Sequence, residues 1–186
     1  MSFVHLRTHS EYSVVDGTLR VDDAAAAAKG DAQPALAITD LSNLFGAVKF
    51  YKACRGKGVK PIIGIEAYVT PETARQDKSR VHWGTEAQRR DDVSGGGLIT
   101  HLTMWAENDE GLVNLIKASS VANLEGRVMR YPRMDKEVLA TYSKGVIASS
   151  GCPSGIIQTR LRLGQFEEAL RAAGEFQDIF GKDNFF

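Results

Sequence analysis

The sequence predicts an α/β fold assembled from parallel βα units. Short apolar stretches of strand length alternate with stretches of helical length from one end of the chain to the other. No segment recurs at a fixed period, which sets aside solenoids and propellers. Histidines, acids and a cysteine cluster within or just after the strand stretches, where parallel α/β folds build their sites.

Phe3–Leu6 reads as a first short strand. Val21–Lys29 is a helix, with Asp22 and Asp23 at the end where its dipole favours acids and Gly30 as its stop. Ala35–Thr39 is a continuously apolar strand, and Leu44–Arg55 a helix capped by Ser42 or Asn43. Pro61–Val69 is a strand carrying Ile62, Ile63, Ile65 and Val69. Residues 70–97 break the pattern. Ten of them are charged, aliphatics are few and Gly95-Gly96-Gly97 ends the run, so a solvated, mobile surface excursion is expected, with one hairpin around His82-Trp83-Gly84. Leu98–Ala106 resumes as a strand, Glu110–Leu124 and Asp135–Tyr142 are helices, and Gly145–Ser149 is a strand. Pro153–Leu163 and Phe166–Phe180 are helices. Phe185-Phe186 then opens a further buried strand, so the chain is expected to be a fragment lacking later strands, with both phenylalanines and a sheet edge uncovered.

At 186 residues, 43 % apolar and 25 % charged, the chain is one ordinary globular domain or part of a larger one. Its 23 basic and 23 acidic residues cancel, which argues against a stand-alone nucleic-acid-binding module. Cys54 and Cys152 form no CxxC pair or disulfide framework, and a reducing, cytoplasmic setting is expected. No signal-peptide core and no membrane-length apolar run occurs. Gly95-Gly96-Gly97 precedes a strand rather than a helix, unlike a nucleotide-binding loop.

The donor residues are His5, His9, Asp16, Asp40, Glu66, His101 and Cys152, and such N, O and S donors can hold transition metals. Each has a plainer reading. A lone strand histidine is more often a satisfied core residue, and Cys152 can be a small buried hydrophobe. Cys54 belongs to a helix core, and His82 to the solvated excursion. Glu66 resists the plain reading: it interrupts Ile62-Ile63-Gly64-Ile65 and Ala67-Tyr68-Val69, and a carboxylate buried there needs a cation, a metal or hydrogen-bond donors.

Five ordered segments carry a resemblance. They are His5-Leu6-Arg7-Thr8-His9 with Asp16-Gly17, then Ala37-Ile38-Thr39-Asp40-Leu41-Ser42-Asn43, and Lys60-Pro61-Ile62-Ile63-Gly64-Ile65-Glu66. His101-Leu102-Thr103 with Asn108-Asp109-Glu110-Gly111, and Ser150-Gly151-Cys152-Pro153-Ser154-Gly155, complete the set. Together they resemble the PHP (polymerase and histidinol phosphatase) domains of bacterial replicative DNA polymerases of the polymerase III alpha family. The resemblance spans nearly the whole chain except 70–97. It implies a partial PHP domain over 1–186, an incomplete distorted β/α barrel with its C-terminal strands missing. It also implies a ligand set falling on Arg7, His9, Asp16, Leu41, Glu66, His101 and Cys152, with His5 and Asp40 adjacent.

Two of those positions depart from the family's metal-binding pattern. Arg7 and Leu41 stand where metal-binding members carry histidine; an arginine cannot shed its proton to become a ligand, and leucine has no donor atom. No catalytic residue and no bound metal are therefore expected. Any residual metal would fall to His9, Asp16, Glu66, His101 and Cys152. Arg7 is expected to replace the metal, giving its permanent positive charge to Glu66 or Asp16, with Leu41 filling the vacated volume. The resemblance implies a DNA-directed DNA polymerase (a nucleotidyltransferase using Mg²⁺) in the whole protein, contacting DNA through domains outside this segment. It further implies the proofreading exonuclease (epsilon) and other replicase subunits as partners. The segment has no Asp-x-Asp pair for two-metal phosphoryl transfer, so it is read as a structural and docking module. The alternative is a metal-dependent PHP phosphoesterase or 3′–5′ exonuclease.

Overall fold

The computed structural model describes residues 3–14, 16–90 and 96–186. In chain order the elements are α1 (Val21–Gly30), β1 (Ala35–Leu41), α2 (Ala47–Lys57), β2 (Lys60–Val69), β3 (Val81–His82), α3 (Glu86–Arg90), β4 (Gly96–Gly97) and β5 (Thr100–Ala106). They continue as α4 (Asp109–Leu124), β6 (Arg127–Val128), β7 (Tyr131–Met134), α5 (Lys136–Thr141), β8 (Val146–Ser149), α6 (Ile156–Arg162) and α7 (Phe166–Phe180). The class is α/β, as expected.

One six-stranded sheet runs β6-β7-β2-β5-β8, with β1 also paired to β2. β1 and β7 lie parallel to β2, in keeping with βα units. β5 does not: it is antiparallel to both β2 and β8, which corrects the all-parallel expectation. The reason lies in the connection. Parallel neighbours need a long crossover, usually helical. Between β2 and β5 the described residues form the β3–β4 hairpin and the short α3, and the chain re-enters the sheet at the end where it left.

Alternation along the strands separates two faces. Ile65, Ala67 and Val69 of β2, Leu102 and Met104 of β5, and Val146 and Ala148 of β8 point into the main core with Leu115, Ala118, Ala122, Phe176 and Phe180. A second cluster packs Val21, Ala25, Phe50 and Cys54 of α1 and α2 on Leu36 and Ile38 of β1. The opposite face of the sheet carries Glu66, His101, Thr103 and Ser149, brought side by side by the registers Glu66↔Thr103 and Thr103↔Ser149.

The expected strand Phe3–Leu6 is instead an extended segment outside the sheet ladders. It is tied to β1 where Ala37 N donates to His5 O (2.9 Å) and Thr39 N to Thr8 O (2.9 Å). α2 begins later than expected, and neither Ser42 nor Asn43 caps it. Asn43 Oδ1 accepts from Phe45 N at 3.1 Å and holds a turn ahead of the helix, while the Ser42 hydroxyl donates to Pro132 O at 3.0 Å. The β6–β7 hairpin was not expected.

The beginning of the 70–97 segment is not a loose excursion. Arg75 pairs with Glu125 (2.8 Å), Asp135 (3.1 Å) and Glu137 (2.8 Å). Glu72 pairs with Arg160 and Arg171, whose helices flank it, and the Arg160 guanidinium lies 4.0 Å from the Trp83 ring centroid. Beneath them Arg133, fully buried, donates to Gly126 O, Leu98 O, Arg75 O and Asp77 O, stitching both ends of the segment to β7. Residues 91–95, which include Gly95, lie outside the described residues. Phe185 is likewise covered. It bridges Ala148 in parallel and stacks 5.4 Å from Phe176, while Phe186 is exposed.

Candidate functional site

Glu66 sits in mid-strand at the centre of the sheet, its side chain wholly buried. Its neighbours supply what such a carboxylate needs. Oε2 accepts from Arg7 Nε at 2.5 Å and from His9 Nε2 at 2.7 Å. Oε1 accepts from Arg7 Nη2 at 2.9 Å and from His101 Nδ1 at 2.6 Å. Arg7 and His9 are in position because the bonds of His5 and Thr8 to β1 draw the amino-terminal segment across the strand ends. His101 is in position because β5 pairs with β2.

Burial alone would raise the Glu66 pKa, but hydrogen bonds from His101, His9 and Arg7 hold it far below the usual carboxylate range. Burial alone would lower that of His101; contact with the Cys152 sulfur and with Glu66 outweighs it and carries His101 up to about 9. Burial opposes ionisation of Cys152, yet His101 and the Ser154 N–H, 3.4 Å from the sulfur, bring its pKa down. The result is a chain of contacts that runs from the Arg7 guanidinium through the Glu66 carboxylate and the His101 ring to the Cys152 sulfur.

The other expected site residues lie outside this cluster. Leu41 is in register with Glu66 on the neighbouring strand and shares its face. Asp16 is exposed at the rim and acts on Arg7 only through its charge among the described residues. Asp40 is buried, but it accepts from Ser10 N (2.6 Å), Ser10 Oγ (2.7 Å) and Ser13 Oγ (2.7 Å), so it shapes the loop carrying Tyr12 and Asp16. His5 is exposed, edge-on to Phe3, and His82 is exposed in β3.

Sequence reasoning missed the aromatic wall of the site. Tyr68 stands edge-on to His101 at 5.4 Å and to Tyr131 at 5.2 Å, and Arg130 lies over Tyr131. Thr103, buried with its hydroxyl unpartnered, was missed too. The signal was available: Tyr68 is two residues from Glu66, and Thr103 two from His101, so each shares its neighbour's face.

Glu66, His101 and Cys152 have ligand atoms within 4.8 Å of one another, enough for three donors around one ion. With Arg7 in place they share Glu66 with a fixed cation. Both Glu66 oxygens already accept from the guanidinium, and a dication there would face that fixed positive charge at contact distance.

This fold and this site define a class: the chain belongs to the PHP domain family, whose sequence pattern matches residues 5–186. Its relatives are more particular. It is 50 % identical over 185 residues to the DNA polymerase III subunit alpha of Mycobacterium tuberculosis (strain ATCC 25618 / H37Rv), covering 100 % of this chain and 16 % of the relative. The same-named protein of Saccharopolyspora erythraea is 50 % identical over 191 residues, covering 99 % of this chain and 16 % of the relative. The chain thus spans 16 % of the length of these relatives. Among solved structures, an amidohydrolase from Chromobacterium violaceum matches 64 % of this chain and 33 % of its own at 20 % identity, with a TM-score of 0.40. Among the described residues, no helix is long and apolar enough to cross a membrane.

Proposed function

We propose that this chain is the PHP module of a replicative DNA polymerase alpha subunit, and that it serves there as a structural and docking element without hydrolytic chemistry of its own. The carrying observation is the bidentate Arg7–Glu66 pair at 2.5 and 2.9 Å, which sets a permanent cation where the family's ligand pattern calls for a metal donor. Leu41, in register with Glu66, supports the same reading by offering no donor. Template-directed DNA synthesis, with its Mg²⁺, belongs on this reading to the rest of a cytoplasmic polypeptide of the relatives' length. The partners are the proofreading exonuclease (epsilon) subunit and the other replicase subunits.

The test uses the intact polypeptide. Removing residues 1–186 should abolish its co-purification with the proofreading exonuclease subunit. The intact polypeptide alone should not degrade single-stranded DNA from the 3′ end when manganese or zinc is supplied. Undiminished association after removal would overturn the docking role. Metal-dependent degradation lost in His9→Ala would instead establish the second reading, a PHP phosphoesterase or 3′–5′ exonuclease, which the closeness of Glu66, His101 and Cys152 favours.

A further inference from the structure

α2 and α4 flank an apolar groove floored by Ile63 of β2, with a cavity volume of about 440 Å³. Its walls are large and uncovered: Phe45 is 79 % exposed, Val48 68 %, Tyr51 51 % and Ile116 49 %. Tyr51, Ile63 and Leu112 also line a second hollow of about 920 Å³, so the apolar surface is continuous. Uncovered apolar surface of this kind marks a contact site more often than free surface.

The charge at its edge says what kind of contact. α2 carries Lys49, Lys52, Arg55 and Lys57 and no acid. Lys49 is taken by Glu11 and Asp22, but Lys52 and Arg55 have no ion pair among the described residues. Helical spacing puts Lys52 one turn beyond Val48 and Arg55 one turn beyond Tyr51, along the wall of the groove. Lys60 follows at the start of β2 and Lys117 lies beside Ile116 on α4; both are exposed and unpaired among the described residues. The acids Glu107 and Asp109 line only the second hollow. A trough of apolar side chains rimmed on one side by free cations matches a helix whose apolar face is flanked by acids. A nucleic acid strand fits less well, because it would leave the apolar floor uncovered and the chain as a whole is neutral.

We propose that the α2–α4 groove is a docking site for an acidic amphipathic helix of a protein partner, anchored on Val48, Tyr51 and Ile116 and steered by Lys52 and Arg55. This rests on the docking role proposed for the module and names the face that performs it.

The probes are a short fluorescent amphipathic peptide of leucine, phenylalanine and glutamate, its lysine-for-glutamate counterpart, and an oligo-dT strand. Each is titrated by anisotropy against the intact polypeptide. The glutamate peptide should bind. Val48→Glu should abolish its binding, and Lys52→Glu/Arg55→Glu should weaken it by about tenfold or more. The same charge reversal should strengthen the lysine peptide, which a merely unfolded variant could not do. The proposal is overturned if the glutamate peptide does not bind, or if it binds both variants as it binds the wild type. It is also overturned if oligo-dT alone loses affinity in the two variants, or if sedimentation shows self-association that Val48→Glu removes. When removal of residues 1–186 costs the exonuclease subunit but the groove variants leave the glutamate peptide bound, the groove assignment fails and the docking role stands. When removal costs nothing, the docking role itself fails.

Discussion

Arg7 and Glu66, 59 residues apart in sequence, meet in a two-pronged ion pair in which the glutamate side chain is wholly buried and the arginine side chain remains 46 % exposed. The asymmetry is informative. The buried partner carries the desolvation cost and needs the pair; the cation does not. His9 and His101 complete the shell, so Glu66 is held from two separate segments of the chain, the amino-terminal one and β5. The pair thereby joins the amino-terminal segment to the centre of the sheet.

Arg7→Ala should destabilise the protein by roughly 1–3 kcal/mol, read from chemical denaturation midpoints. A fully buried pair would cost more, but solvent screens the half-exposed arginine side chain and two histidines still hold Glu66. Arg7→Lys should lose less, keeping the charge and losing the two-pronged geometry. A change too small to measure in Arg7→Ala would show that the histidines suffice.

His101 gives stability a pH dependence on the alkaline side. Its pKa is raised in the folded state, from an ordinary 6.5 to about 9. Its contribution is therefore fully present below pH 6.5 and is lost as pH climbs through about 9. Unfolding free energy should fall across that window, and His101→Gln should flatten the fall. Glu66 works in the opposite direction: its pKa is depressed, so its contribution is intact above the ordinary 4.5 and disappears only in strong acid.

Arg7→His combined with Leu41→His should convert the cluster toward a metal site. The double substitution removes the fixed cation and adds two imidazoles beside Glu66, His101 and Cys152. Elemental analysis after dialysis should then find about one zinc or manganese per chain, and none in the wild type. Stoichiometric metal in the wild type, lost in His9→Ala, would show that Arg7 does not take the metal's place.

Trypsin should cut at Arg80, which is exposed, well before Arg75, which is held by Glu125, Asp135 and Glu137. Arg133→Ala should reverse that protection. It leaves the carbonyls of Gly126, Leu98, Arg75 and Asp77 without their buried donor, at a cost of at least about 3 kcal/mol. Early cleavage at Arg75 in the wild type would mean that the clamp is open in solution.

Local pattern sufficed for most of the elements. Helix α7 occupies the range expected, because its apolar period and its flanking turns agree. The importance of Glu66 was also legible, since a carboxylate inside an apolar strand has few physical excuses. The β6–β7 hairpin was not legible. Arg127–Val128 and Tyr131–Met134 are too short to show a strand period, and β7 is built as a strand by pairing with β2.

The anchoring of residues 70–85 was equally hidden. Their charges read as solvated because their partners, Glu125, Asp135, Arg160 and Arg171, come from helices and turns far along the chain.

By itself, then, the sequence determined the α/β class, the ordered family segments and the identity of positions 7 and 41, an arginine and a leucine that cannot ligate a metal. These are properties of residue identity and local spacing. Which donors actually meet was decided by tertiary structure alone. Strand register put His101 and Leu41 beside Glu66, and backbone bonds from β1 to His5 and Thr8 laid Arg7 across it, while Asp40 was turned away to bond Ser10 and Ser13. Register and face are set by pairing between distant strands, and a one-residue shift would have sent each of these side chains to the other side of the sheet.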